Sequence, residues 1–485
     1  MGPPLVIGVD SSTQSTKAEA RELGSGERVG TGRCEHPATS PPRSEQDPQA
    51  WWDALVQAVG QLGELRGDVV AISIGGQQHG LVVCAGDGTP LRPAKLWNDT
   101  ESAAEAEAMV SRLGAERWAQ LCGSVPVSAF TVTKLAWLVD HEPGLLGAVG
   151  AVCLPHDWLT LRLCGRLVTD RGDASGTGWF DLAGDRPTLR RELLAEAVRA
   201  APGELGDPAH WAPLMPAVLG PAEPAGMLTE GAAAALGLGS DVVVGPGTGD
   251  NMAAALGLGL ADGDVAVSLG TSGTVYSVAS HPTRDASGAV AGFADATGRF
   301  LPLVCTLNAT KVTDTVASWL GLSPDELARL ALSADPHGPG RPTLVPYFDG
   351  ERTPDLPDAT GTLAGLRNDT TREDLALAAH DGVLGGLLAG LDALHAAGVD
   401  VAGRLFLVGG GAHSAAYRQR LADLTGRTVR VPDADEAVAT GAALQAAVAV
   451  GESGTGDPAR PASADLFAAR QGAWGLGAGS DVSPR

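Results

Sequence analysis

Basic residues are scarce in this chain, which holds 34 Lys and Arg against 57 Asp and Glu and carries a formal net charge of -23. A footprint on nucleic acid or on an anionic membrane needs a clustered basic face, and the sequence offers none. No nucleic-acid or membrane partner is therefore expected, and any phosphate site has to be local. Cysteine is sparse too. The six residues Cys34, Cys84, Cys122, Cys153, Cys164 and Cys305 stand singly, without a C-x-x-C pair or a Cys/His spacing suited to a tetrahedral metal site. Free thiols in a reducing compartment are the expectation. The N-terminus lacks a charged segment followed by a long apolar core, and no apolar run approaches the length of a membrane span, so the expected location is cytoplasmic. Aromatic residues make up only 4 %. With 66 Gly and a 44 % hydrophobic share across 485 residues, the composition is that of a globular α/β chain with two large or three smaller domains.

What the chain does have is a set of glycine-punctuated strand ends. In Val242 to Asn251, three β-branched residues signal a short buried strand, glycines turn the chain, and Asp250-Asn251 precede an apolar helical segment from Met252 to Leu260. Asp250 therefore sits at a strand-to-helix junction. It could cap the helix, as Asp and Asn commonly do, or take a proton from a bound hydroxyl.

Near the N-terminus the apolar run Leu5 to Val9 ends at Asp10 and breaks into Ser11-Ser12-Thr13-Gln14-Ser15-Thr16-Lys17. Such a turn can offer backbone N–H groups, hydroxyls and a lysine to a phosphate, with Asp10 placed to hold hydrated magnesium. A polar turn closing a strand is the plainer alternative. The pattern restarts at Val265 to Leu269, which runs into Gly270-Thr271-Ser272-Gly273 and a second apolar run. Two such hairpins suggest related halves, each supplying a phosphate loop to a shared cleft. Because Ala18 to Arg21 is less strand-like than Val275 to Val278, the first hairpin is expected to have one solvent-facing arm.

Between the hairpins, the strand Val69 to Ile74 stops at Gly75-Gly76-Gln77-Gln78-His79-Gly80, placing an amide and an imidazole where open α/β sheets gather ligand groups. Asp99 reads as a helix N-cap, or else Asn98 and Asp99 bind sugar hydroxyls while Trp97 supplies an apolar wall. Gly172 to Gly178 reads as a small-residue loop. Gly409-Gly410-Gly411 follow the buried strand Leu405 to Val408 and leave room for a phosphate or flat ligand, or serve as a sharp turn.

Taken in order, these motifs resemble the FGGY carbohydrate kinases over about Val6 to Val450. The resemblance implies two ribonuclease-H-like domains of the actin and hexokinase type flanking a cleft for ATP and sugar. The expected division is 1–244, 245–450 and a peripheral tail, 451–485. By matching position, Asp250 is implied to be the catalytic base and Asp10 the acid that positions Mg2+. Gln78, His79, Asn98, Asp99 and Asn251 are implied to contact the sugar. Ser11, Ser12, Thr13 and Lys17 are implied to form the first phosphate loop, Gly270, Thr271, Ser272 and Gly273 the second, and Gly409, Gly410 and Gly411 the nucleotide side. Within the family, the Gln-His pair and the Asp-Ala-Ser-Gly-Thr segment favour D-xylulose over ribulose, gluconate or glycerol. Homodimerisation is a further family-level expectation, and an actin-like ATP switch without sugar chemistry is the alternative from another class. The chain departs from the family habit at Gln78, where Met is frequent, and at Ser12, where Gly is frequent.

Overall fold

The computed structural model describes residues 2–432, 436–452 and 463–485. Two seven-stranded mixed sheets organise it. The first contains β1 (Leu5–Ser11), β2 (Ser15–Glu22), β3 (Arg28–Glu35), β4 (Val69–Gly76), β5 (Gly226–Met227), β6 (Val243–Val244) and β7 (Thr248–Gly249). Its order is β5-β6-β4-β1-β2-β3, with β7 also paired to β4. The second contains β8 (Val265–Leu269), β9 (Gly273–Ser277), β10 (Ala291–Ala294), β11 (Phe300–Thr306), β12 (Leu405–Val408), β13 (Val429–Pro432) and β14 (Gly479–Val482), in the order β10-β11-β9-β8-β12-β13-β14.

Both sheets share a plan. In each, three antiparallel strands (β3-β2-β1 and β11-β9-β8) are extended by parallel ones (β4 and β6; β12 and β13). The repetition foreseen from the two hairpins therefore extends to whole sheets. Parallel strands demand crossover connections and cover on both faces, which explains their near-continuous Val, Ile and Leu content.

Helix packing accounts for the strand that looked exposed. Ala18, Glu19, Ala20 and Arg21 are all buried, so β2 is not a solvent-facing arm. One reason is the helix Pro48–Gly60, which lies on β2 and β3; the other is the helix Ala437–Glu452, which covers β1 and β4. The charges on β2 are satisfied internally, with Arg21 2.7 Å from Glu19 and donating to Thr440 Oγ1 at 2.6 Å.

The helix Asp250–Gly257 lies against Ala437–Glu452 so closely that a Cβ on Gly441 would sit 1.8 Å from the Ala253 carbonyl oxygen. Chain that lies between two strands of the second sheet, β13 and β14, thus returns to pack on the first. Strand β7 also belongs to the first sheet although it lies past residue 244, where the sequence suggested a boundary. The tail is integrated as well: the helix Ser463–Ala473 buries Phe467, and β14 pairs with β13. Residues 453–462 of that tail lie outside the described residues. One helix, Arg372–Ala396, has the length and apolar composition of a membrane span, which the sequence reading did not register. Its buried residues, among them Leu377, Val383, Leu384 and Leu387, belong to the core beside the second sheet. All six cysteines are free thiols.

Candidate active site

Register fixes the two acids. Asp10 pairs with Gly75 across β1 and β4, and Thr248 and Gly249 pair with Gly75 and Gly76 across β7 and β4. Asp10 and Asp250 therefore flank the end of one central strand, with backbones about 10 Å apart for two strand spacings. The carboxyl-terminal edge of parallel strands is where open α/β sheets bind ligands.

Asp250 is the first residue of its helix, and Gly249 is the N-cap. The N-cap position is therefore held by Gly249 and not by Asp250. Instead Asp250 Oδ1 accepts from Asn251 N at 2.8 Å and Asn251 Nδ2 at 2.9 Å. Burial, followed by the charges of Asp10 and Asp173, raises its pKa to about 7. A carboxylate poised there can both exist ionised and accept a proton near neutrality. Asp10 is 5 % exposed, and burial pushes its pKa up to about 6, against the lowering influence of Lys17. Its Oδ1 is buried without a hydrogen-bond partner among the described residues. An unpaired hard oxygen donor at a strand end fits magnesium.

The structure brings Gln78 and Asn251 together, since Asn251 Nδ2 donates to Gln78 Oε1 at 2.8 Å. Gln78 Nε2 and His79 Nδ1 are left buried with no partner among the described residues. His79 has φ of 63°, the one positive value among non-glycine residues described. A bulky residue held in that region marks a place where function overrides backbone preference. Its ring stacks on Phe130 at 5.1 Å and leans on Phe293 at 5.3 Å, the latter from the second sheet. Burial, with Arg352 and Lys134 adding to it, lowers its pKa to about 3, so the imidazole is neutral. A neutral ring can donate and accept hydrogen bonds with hydroxyls. Gly176 is required beside it, because a Cβ there would sit 2.4 Å from His79 Cε1.

Other residues are used differently from expectation. Asp99 is fully buried, accepts from Ser44 N at 2.9 Å and pairs with Lys95 at 3.2 Å. It braces the loop and does not cap the following helix, whose N-cap is Ser102. Neighbouring Asn98 keeps a buried Oδ1 without a partner among the described residues, and Trp97 Nε1 donates to Thr13 Oγ1 at 2.9 Å. Lys17 sits between Glu436 at 2.7 Å and Asp10 at 3.7 Å, a charge balance for the acid rather than a free donor. The segment expected as a loop from Gly172 is a short helix, Arg171–Ser175, capped by Asp170. Asp173, which opens the Asp-Ala-Ser-Gly-Thr segment, acts electrostatically on Asp250, a role its motif did not suggest; Arg352, which acts on His79, has nothing local in the sequence to distinguish it.

The turns expected to receive phosphates follow the hairpins. In the first, Ser11 is buried and accepts from Thr16 Oγ1 at 3.4 Å, while Ser12 donates to the Ser15 carbonyl through N at 3.1 Å and Oγ at 3.2 Å. The Ser12 hydroxyl thus closes the turn. Ser12→Gly is expected to change the KM for ATP by no more than about fivefold, the worth of one ordinary hydrogen bond. Steady-state titration with ATP checks this, and a collapse of nucleotide binding would make the hydroxyl a direct phosphate donor. In the second loop Thr271 is exposed and Ser272 half-exposed. Gly409, at φ of 84°, packs on it, since a Cβ there would lie 2.6 Å from the Leu269 carbonyl oxygen. Gly411 abuts the same residue and Gly410 is open. Three of the expected loops are therefore built as turns at strand ends, two of them side by side.

Two repeated sheets with acids at adjoining strand ends and paired small-residue turns define a phosphotransferase of the two-domain nucleotide-cleft class. The chain belongs to the FGGY family of carbohydrate kinases, whose N-terminal domain matches residues 5–257 and whose C-terminal domain matches residues 265–450. It is 48 % identical over 446 residues to the xylulose kinase of Streptomyces coelicolor, covering 92 % of this chain and 88 % of that one. The xylulose kinase of Streptomyces rubiginosus is 49 % identical over 447 residues, with the same coverage of 92 % and 88 %. The crystal structure of xylulose kinase from Bifidobacterium adolescentis superposes with a TM-score of 0.83 at 39 % identity, covering 97 % of this chain and 99 % of that one.

Proposed function

We propose that this chain is an ATP-dependent kinase that phosphorylates D-xylulose. One observation carries the reading: Asp10 Oδ1, Gln78 Nε2 and His79 Nδ1 are buried polar atoms lacking partners at the strand ends that present Asp250. Leaving such atoms unpaired costs about 1–3 kcal/mol each, so the site is built for a ligand that satisfies them. The near 50 % identity to two xylulose kinases supports xylulose as that ligand.

In this reading Gln78, His79 and Asn251 orient the sugar, and Asp250 takes the proton of the attacking hydroxyl. The sugar oxygen bonds to the γ-phosphorus as the bond to the bridging oxygen breaks, and its electrons leave on ADP. The turns at Ser11 to Thr13 and Gly270 to Gly273 receive the phosphates, with Gly409 to Gly411 on the nucleotide side. Magnesium, held through Asp10, would offset phosphate charge. Asp99 supports the loop that carries Asn98 and does not itself touch the sugar.

ADP release measured with a panel of sugars tests the substrate. The kcat/KM for D-xylulose is expected to exceed those for ribulose, gluconate and glycerol by at least about tenfold, the discrimination one or two contacts provide. A higher value for another sugar would replace xylulose in the account. His79→Ala is expected to raise the KM for xylulose about tenfold while ATP binding stays nearly unchanged, as one lost hydrogen bond in a buried site predicts. Calorimetric titration with ATP beside sugar kinetics checks the asymmetry; equal loss of both ligands would make His79 structural.

A further inference from the structure

Behind the strand that presents Asp250 lies a buried charge cluster that the chemistry above does not use. His156, in the helix Pro155–Cys164, is fully buried. Its Nδ1 is hydrogen-bonded to Asp173 Oδ2 at 2.8 Å. Its Nε2 lies 3.1 Å from Asp157 Oδ1 and 4.0 Å from Asp170 Oδ1, close enough for charge attraction but without a hydrogen bond among the described residues. All three acids are buried. Burial pushes the pKa of Asp157 up to about 7 and raises that of Asp170, so part of the cluster's charge is relieved by protons on the acids; the hydrogen bond from Nδ1 to Asp173 and the acids near Nε2 favour a cationic ring for the rest. Burial alone would lower the pKa of His156, but Asp157, Asp173 and Asp170 outweigh it and raise it to about 9.

The cluster is fastened to the strand that carries the base. Asp170 Oδ2 accepts from Thr248 Oγ1 at 2.7 Å, two residues before Asp250. The His156 ring fills the space above Gly247, at φ of 76°, where a Cβ would lie 2.4 Å from Cδ2. Asp173, also a partner of His156, is one of the acids that act on Asp250. The groups facing His156 are thus Asp157 from its own helix, Asp173 and the capping Asp170 from Arg171–Ser175, and the backbone of Gly76 and Gly247.

We propose that His156 is a positioning residue for the phosphoryl transfer: a charged imidazolium that holds Asp173 and offsets its charge beside Asp250, so that Asp250 ionises at neutral pH. The inference rests on Asp250 being the base. It makes opposite predictions for the two partners. Removing the positive charge exposes Asp250 to an uncompensated Asp173 and makes it a weaker acid; removing the charge of Asp173 makes Asp250 a stronger one.

The test is the pH dependence of kcat/KM for xylulose in the full-length enzyme. His156→Gln should move the acid limb up by about one pH unit, Asp173→Asn should move it down, and His156→Lys, which restores a cation, should leave it near the wild-type position. Shifts in the same direction, or none, would overturn the proposal. Should His156→Gln not fold, Asp173→Asn, which keeps an acceptor for the ring, decides alone: a limb that stays or rises overturns the proposal. Nitrogen-15 NMR of labelled histidine at pH 7.5 gives an independent reading, with both His156 nitrogens protonated if the proposal holds and one bare nitrogen if it fails. Failure of the base assignment is separately visible, because Asp250→Asn would then remain active.

Discussion

Asp250→Asn is expected to lower kcat by about 10²–10⁴-fold, the usual contribution of a general base, while the protein folds and binds both ligands. The amide has the same size, and its oxygen can still accept from Asn251 N and Nδ2 as Oδ1 of Asp250 does. No helix cap is lost, since Gly249 occupies that position. What disappears is the ability to accept a proton at a group whose pKa stands at about 7. Steady-state kinetics combined with melting curves, with and without sugar, separate this from a folding defect. A variant with near wild-type kcat would remove Asp250 from the chemistry.

Asp10→Asn is the second large effect, and it has a different signature. Loss of the acid proposed to hold magnesium should reduce kcat/KM by about 10²-fold and raise the magnesium concentration needed for half-maximal rate. Asp250→Asn should leave that magnesium dependence where it was. The same substitution is expected to stabilise the ligand-free fold. The pKa of Asp10 is raised by burial from 3.8 to about 6, so the folded state holds its proton more tightly than the unfolded chain. The associated stability is present below pH 3.8 and is lost as pH rises through about 6. At pH 8 the neutral amide avoids that penalty, of order 1 kcal/mol, and the melting temperature should rise. An unchanged magnesium dependence in Asp10→Asn would move the metal elsewhere.

The parts of this site that could be read from sequence are those whose signal is local. A strand, a turn of small hydroxyl residues and a second strand lie within about twenty residues, so both hairpins are visible. Gln77-Gln78-His79 and Asp250-Asn251 stand directly after glycines at strand ends. Long-range ion pairing was invisible. Lys17 finds Glu436 at a separation of 419 residues, and Asp99 accepts from Ser44 N at a separation of 55. Neither partner is implied by the spacing around it. Burial of Ala18 to Arg21 likewise depends on the helix Ala437–Glu452, which arrives from between two strands of the second sheet. His156 and Asp173 lie in separate helices, and only folding makes them a pair.

The most direct test of the central claim follows phosphorus itself. Phosphorus-31 NMR of the purified enzyme with ATP, magnesium and D-xylulose should show the γ-phosphate signal replaced by a sugar phosphomonoester, one for each ADP formed, with no inorganic phosphate. Conversion of ATP to ADP and inorganic phosphate at a rate indifferent to xylulose would contradict it.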